Sequence, residues 1–170
     1  MATISKKVCL LGDFAVGKTS LVRRFVHNRF DDKYLSTIGV KVSRKTVSVP
    51  HADQVAQLTM MLWDLAGSEE FSPMRASYLR GAAGGILVCD LTRAETLDSL
   101  FSYAEDLFSV NPKAQLVLAA NKNDLSEQHQ LSETNIAKAA DKLSTNYYLT
   151  SAKTGTDVET LFRQLGRLLI

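Results

Sequence analysis

Gly12-Asp13-Phe14-Ala15-Val16-Gly17-Lys18-Thr19-Ser20 is the stretch on which the reading of this chain turns. It follows the apolar run Lys7 to Leu11. It leads into a segment whose apolar residues Leu21, Val22, Phe25 and Val26 recur at helical spacing. A strand, a glycine-bounded loop and a helix form the context in which GxxxxGK followed by Ser or Thr marks a phosphate site. Gly12 and Gly17 let the backbone wrap closely, so that consecutive main-chain N–H groups converge on an oxyanion at the positive end of the helix. Lys18 is then placed to neutralise the outer phosphates, and the Thr19 hydroxyl to enter the octahedral shell of Mg²⁺. A strand-to-helix turn with a chance lysine would carry one of these features; here flank and motif agree.

Working outward, 170 residues suffice for one domain with a substantial core, expected to span 1–170. Net charge is +2 with acidic and basic residues interspersed, which leaves no electrostatic footprint for nucleic acid. The adjacent pair Arg23 and Arg24 reads as a solvated helix face. Cys9 and Cys89 lie in apolar runs without CxxC spacing, as small core residues of a reducing compartment do. The N-terminus lacks a signal-peptide pattern, and no run reaches the ~20 apolar residues of a membrane span. A soluble, cytoplasmic protein is expected. His27, His51 and His129 are scattered without ligand spacing and receive no role.

Apolar runs at Val8 to Leu11, Leu58 to Asp64, Gly85 to Asp90, Gln115 to Ala120 and Tyr147 to Thr150 alternate with longer amphipathic stretches. That pattern predicts a parallel sheet covered by helices. Because open parallel sheets place ligands at the carboxyl ends of their strands, Gly12, Asp64, Asn121 and Ser151 should share one rim. Gly39 to Val49 departs from the scheme. With Pro50-His51-Ala52-Asp53 as a turn, it reads as the antiparallel edge strand of a hairpin. Leu97, Leu100, Phe101, Ala104, Leu107 and Phe108 follow a helical stripe, as do Val158, Leu161, Phe162, Leu165 and Leu168, and more weakly Ile136, Ala140 and Leu143. The expected fold class is α/β: a six-stranded, mostly parallel sheet with one antiparallel edge strand and helices on both faces.

Trp63-Asp64-Leu65-Ala66-Gly67, Asn121-Lys122-Asn123-Asp124 and Ser151-Ala152-Lys153 complete the pattern. In order and spacing these motifs resemble those of the Ras-like small GTPases of the P-loop class, and within them the Rab branch. Tyr78 to Gly85, Asp90-Leu91-Thr92 and Ser151 to Phe162 look Rab-like. The resemblance covers nearly the whole chain. It implies nucleotide contacts at Asp13, Phe14, Ala15, Val16, Gly17, Lys18, Thr19, Ser20, Phe30, Tyr34, Thr37, Gly67, Asn121, Lys122, Asp124, Leu125, Ser151, Ala152 and Lys153. Mg²⁺ would be held at Thr19, Thr37 and Asp64, and the hydrolytic centre would comprise Lys18, Thr37, Gly67 and Ser68.

Each role also has its own chemistry. A carboxylate at Asp124 can accept from guanine N1–H and the 2-amino group together, and adenine would leave that desolvated charge unpaired. The Ala152 N–H would donate to O6, Lys122 would lie over the ring, and Phe30 would cover the base's other face. Thr37 and Gly67 would be drawn onto the terminal phosphate and released when it leaves, a switch between GTP and GDP forms. Effectors, exchange factors and activating proteins would then read residues 34–42 and 67–80, with Trp63, Phe71 and Tyr78 as an aromatic surface. The protein is expected to act as a monomer.

Three departures from the family pattern carry consequences. Ser68 stands where most members have the glutamine that orients the attacking water, and Phe14 occupies a loop position usually given to a small residue. Slow intrinsic hydrolysis is therefore expected, with Glu69 or Glu70 as the alternative residues to act on that water instead. Ala15 replaces a second loop glycine and Ser36 the usual proline, milder changes. The sequence ends at Ile170 without the lipidated cysteines of Rab tails, so membrane association is a family expectation only. Two other readings compete: a pseudo-GTPase scaffold that holds GTP with little hydrolysis, and a P-loop kinase or ATPase, against which Asp124 and Ser151-Ala152-Lys153 count.

Overall fold

In the computed structural model, which describes residues 3–32, 39–65 and 73–170, the apolar runs become strands and the amphipathic stretches helices. The elements in chain order are β1 (Thr3–Leu11), α1 (Lys18–His27), β2 (Val40–His51), β3 (Gln54–Leu65), α2 (Pro73–Leu79) and β4 (Ala82–Asp90). There follow α3 (Glu95–Val110), β5 (Gln115–Asn121), a 3-10 turn (Ser126–Gln128), α4 (Glu133–Lys142), β6 (Asn146–Leu149) and α5 (Val158–Leu168). They build a six-stranded sheet in the order β2-β3-β1-β4-β5-β6. Every neighbouring pair is parallel except β2 with β3. The expected fold class is the observed one, with the antiparallel strand at the edge.

Alternation along the inner strands sorts the core into two layers. Val8 and Leu10 of β1 and Ile86 and Val88 of β4 join the cluster built with Leu21, Val22 and Phe25 of α1 and Leu161, Phe162 and Leu165 of α5. Cys9, Leu11, Leu87 and Cys89 point the other way, into a cluster with Leu79 of α2, Leu100 and Leu107 of α3 and Ile136 of α4. With both faces covered, β1, β4 and β5 read as continuous apolar runs, as buried parallel strands do. The two cysteines are free and fully buried, and burial pushes both thiols up to about 12.

Between α1 and α5 the rings of Phe25 and Phe162 stack with centroids 4.1 Å apart and planes 2° from parallel. This fixes α1, and with it the loop at its N-terminus, against the sheet. At the hairpin the two strands run further than the sequence suggests, to His51 and from Gln54, leaving a two-residue turn at Ala52 and Asp53. Ala52 takes the left-handed conformation there, φ 53°. Pro50 pairs opposite Val55 on an edge strand, a position that tolerates proline because no ladder continues beyond it. Among the described residues no helix is long and apolar enough to cross a membrane.

Candidate functional site

Five parallel strands deliver their carboxyl ends to one rim, and the loop Gly12 to Gly17 leaves β1 at its middle, where β3 lies to one side and β4 to the other. This is the topological switch point of an open α/β sheet. The loop is held so tightly that glycine is obligatory at both ends. A Cβ on Gly12 would sit 2.3 Å from the Val88 carbonyl oxygen, and one on Gly17 would sit 2.2 Å from the Asn121 amide nitrogen. Gly17 also has φ 104°, a conformation L side chains avoid. It caps α1, whose first turn carries no acidic residue and whose cap makes no side-chain hydrogen bond, so no first-turn carboxylate offsets the positive potential of the helix start.

Lys18, 6% exposed, folds back over this loop. Its ammonium donates to the carbonyls of Gly12 at 2.8 Å and Asp13 at 2.9 Å. Burial brings the amine down to about 8, with the Asp64 and Asp13 carboxylates opposing that shift. Thr19, one residue on, donates its hydroxyl to Asp64 Oδ2. Asp64 is 1% exposed. Burial raises its carboxyl above the usual range, against the Thr19 hydrogen bond and the charge of Lys18. Its other oxygen, Oδ1, is buried and accepts no hydrogen bond among the described residues. A buried carboxylate oxygen left over beside a threonine hydroxyl suits a hard divalent cation. No cluster of three or more His, Cys, Asp or Glu side chains among the described residues could hold a metal by itself. Mg²⁺ beside phosphates needs only one or two such ligands.

The far end of the rim is assembled by Asn121, the last residue of β5. Its amide nitrogen donates to Val16 O at 3.0 Å, while its carbonyl oxygen accepts from Thr150 Oγ1 at 3.1 Å and from the Ala152 N–H at 3.3 Å. One buried side chain thus joins the loop after β1 to the loop after β6. Asp124 accepts from Ser151 Oγ at 2.8 Å, which fixes its rotamer. Lys122, in the left-handed conformation at φ 68°, is pinned to Asp90 Oδ2 at 2.8 Å.

Asp90 is a hub that sequence reasoning missed. It also accepts from the Thr92 N–H and hydroxyl and from Arg93 Nε. Burial alone would raise its carboxyl; hydrogen bonds from Lys122 and Thr92 outweigh that and hold it below the usual range. Arg93 passes on to donate to the Phe14 carbonyl at 2.6 Å, so the hub braces both ends of the rim.

Phe14, Ala15, Gly17, Lys18, Thr19, Ser20, Phe30, Asn121, Lys122, Asp124, Leu125, Ala152 and Lys153 line one cavity of about 330 Å³. Arg23, Asp31, Asp32 and Leu65 line it too, none of them expected from sequence as a nucleotide contact. Three expected contacts stand beside the wall. Val16 is fully buried in the core, Ser151 sits behind Asp124, and the Asp13 carboxylate turns to α3, accepting from Ser99 Oγ at 2.7 Å and Tyr103 OH at 3.2 Å. Ala15 adopts φ 63°, the left-handed region glycine would favour. Tyr34, Ser36, Thr37, Gly67, Ser68, Glu69, Glu70 and Phe71 lie outside the described residues.

The pair Arg23 and Arg24 does not form a solvated face. Arg23 borders the cavity, and Arg24 donates to the carbonyls of Ala152 and Lys153. Trp63 and Tyr78 approach with centroids 6.5 Å apart, and Lys7 Nζ stands 3.7 Å over the Trp63 ring.

A phosphate loop at the switch point of such a sheet, facing an Asn-Lys-x-Asp loop across one cavity, defines a small GTPase of the P-loop class. The chain belongs to the Ras family, whose sequence pattern matches residues 7–170. It is 36% identical to the Ras-related protein Rab-22A of Homo sapiens over 168 residues, 98% of this chain and 84% of that protein. GTP-binding protein ypt4 of Schizosaccharomyces pombe is 35% identical over 166 residues, 96% of this chain and 71% of that protein. Ras-related protein Rab-31 of Rattus norvegicus is 34% identical over 168 residues, 98% and 84%. Within the Ras family, these relatives put the chain among the Rab-like proteins.

Proposed function

We propose that this chain is a guanine-nucleotide switch that binds GTP and GDP with Mg²⁺ and hydrolyses GTP slowly. One observation carries the reading: a single cavity has the phosphate loop with Lys18 at one end and Asp124, fixed by Ser151, at the other. The main-chain amides of residues 13–19 and the Lys18 ammonium hold the phosphates, and Asp124 selects guanine by accepting from its two adjacent N–H donors. Thr19 and Asp64 hold Mg²⁺, with Thr37 joining them in the GTP form; the ion neutralises phosphate charge during transfer.

Partners read residues 34–42 and 67–80. Within these, Val42 is an exposed apolar side chain, next to Trp63 in the hairpin register. The protein works in the cytoplasm as a monomer, reaching membranes peripherally in a form that carries a lipidated tail.

Slow turnover follows from Ser68 and Phe14. A serine is too short to hold the attacking water as a glutamine does, and Phe14 is 52% exposed on the cavity wall, where it crowds that water or an incoming arginine. The pseudo-GTPase reading rests on the same pair. Single-turnover hydrolysis of the wild type and of Ser68→Gln separates the two. The switch reading expects slow phosphate release from the wild type and at least about tenfold faster release from the variant, the scale on which one positioned transition-state contact acts. No release from either protein, alone or with activating proteins, would favour the scaffold. Chromatography of the nucleotide that co-purifies tests the base: guanine supports the reading, and adenine overturns it.

A further inference from the structure

Arg24 is absent from the described lining of the cavity, yet it grips the strand of backbone that forms one wall of it. Its Nε donates to the Ala152 carbonyl at 2.8 Å and its Nη2 to the Lys153 carbonyl at 2.5 Å. Its Nη1 reaches Asn28 O at 3.4 Å and Asn28 Oδ1 at 3.3 Å. Asn28 is the left-handed cap of α1, and its N–H returns to the Arg24 carbonyl at 2.9 Å. The guanidinium is therefore fixed from behind by the end of its own helix, and presents two donors of its planar fork to two consecutive carbonyls 128 and 129 residues away.

Peptide planarity turns that clasp into a statement about the cavity. In a trans peptide the C=O and N–H point in opposite directions. Pulling the Ala152 carbonyl toward Arg24 aims the Lys153 N–H away from Arg24, and both Ala152 and Lys153 line the cavity. The preceding N–H, that of Ala152, is held by Asn121 Oδ1 at 3.3 Å. The Ala152 N–H, expected from sequence to face the purine 6-oxo group, is thus engaged by Asn121, which leaves the Lys153 N–H, oriented through Arg24, as the main-chain donor at the base end. Arg24 also stands six residues after Lys18 on the same ten-residue helix, so one rigid element touches the phosphate end with its first turn and the base end with its last.

We infer that Arg24 is a positioning residue for guanine: it sets the orientation of the 152–153 backbone that reads the purine 6-oxo group, and thereby the rate at which guanine nucleotides leave. The inference rests on the nucleotide reading above and deepens it, by assigning part of base recognition to a side chain that does not touch the base. A lysine at this position lacks the rigid planar fork that holds two consecutive carbonyls in fixed directions.

The test compares wild type, Arg24→Ala and Arg24→Lys for dissociation of GDP and of 6-thioguanosine 5′-diphosphate. That analogue keeps N1–H and the 2-amino group for Asp124 but offers a poor acceptor at position 6. Loss of two oriented hydrogen bonds predicts GDP release from Arg24→Ala roughly tenfold faster than from wild type. Release of the thio analogue should change much less, so the wild-type preference for GDP over it shrinks, with Arg24→Lys in between. Equal acceleration for both nucleotides would mean general loosening, and unchanged release of both would mean no role; either overturns the inference. Should Arg24→Ala not fold, an Arg24→Lys preference equal to that of wild type overturns it as well. A wild type that retains neither nucleotide would instead refute the nucleotide reading, and this inference with it.

Discussion

With one oxygen accepting from Ser151, the Asp124 carboxylate retains lone pairs for a base that carries two neighbouring N–H donors. Asp124→Asn would put an N–H where one acceptor stood. We expect the affinity for GDP to fall on the order of 100-fold, about 3 kcal/mol, as when a desolvated donor is left unmade, with circular dichroism unchanged. Isothermal calorimetry measures it, and an unaltered affinity would refute base selection by this residue. Asp124 was legible in the sequence because its chemistry is local: a four-residue motif after a strand. Asp90 and Arg24 were not. Asp90 acquires meaning only when β4 and β5 pair it with Asn121 and Lys122 reaches back to it. Arg24 does so only when α1 comes to lie beside a loop more than 120 residues on. The same holds for Asp13, whose motif suggests a phosphate-loop residue while its carboxylate serves α3. Spacing reveals which backbone approaches a ligand; which side chains turn away depends on packing.

Among the elements, α2 was the least foreseeable, because seven residues make about two turns, too few for a helical stripe to declare itself. Its anchorage is tertiary. Arg75 Nη2 pairs with Asp106 Oδ2 at 2.9 Å, both side chains largely buried, and the guanidinium lies 4.9 Å from the Tyr103 ring centroid. Tyr103 in turn donates to Asp13. A continuous set of contacts therefore runs from α2 across α3 to the phosphate loop. Arg75→Ala strands the Asp106 carboxylate in a largely buried setting, a class of change that costs about 3–5 kcal/mol. Urea denaturation should show a loss near the lower end of that range, and a loss under about 1 kcal/mol would show that the pair is not a structural anchor. By contrast, β4 and β5 appear close to where their apolar runs put them, since burial on both faces leaves little room for any other reading, whereas β1 and β3 begin five and four residues before theirs, in half-exposed stretches that carry no apolar run.

For the molecule as a whole, the site sits between two core layers and draws on five strand ends, so a ligand that fills it should stabilise the entire fold. A nucleotide present at 1,000 times its dissociation constant adds about 4 kcal/mol. For a chain of this length that corresponds to roughly 10 °C in Tm. Thermal scans with GDP and Mg²⁺ should show that rise, and chelation by EDTA should remove part of it if Thr19 and Asp64 hold the ion as proposed. A GDP-independent Tm would argue that the cavity is unrelated to this ligand. The rest of the sheet faces a different hazard. β2 forms its outermost strand over twelve residues, and its other side, which pairs with no strand among the described residues, is a row of amides and carbonyls onto which a second chain could zip. Lys41, Arg44, Lys45 and Pro50 punctuate that strand with cations and one missing donor. The margin of the protein best shaped to recruit further strands thus carries like charges and a gap in the ladder, both of which oppose fibril growth.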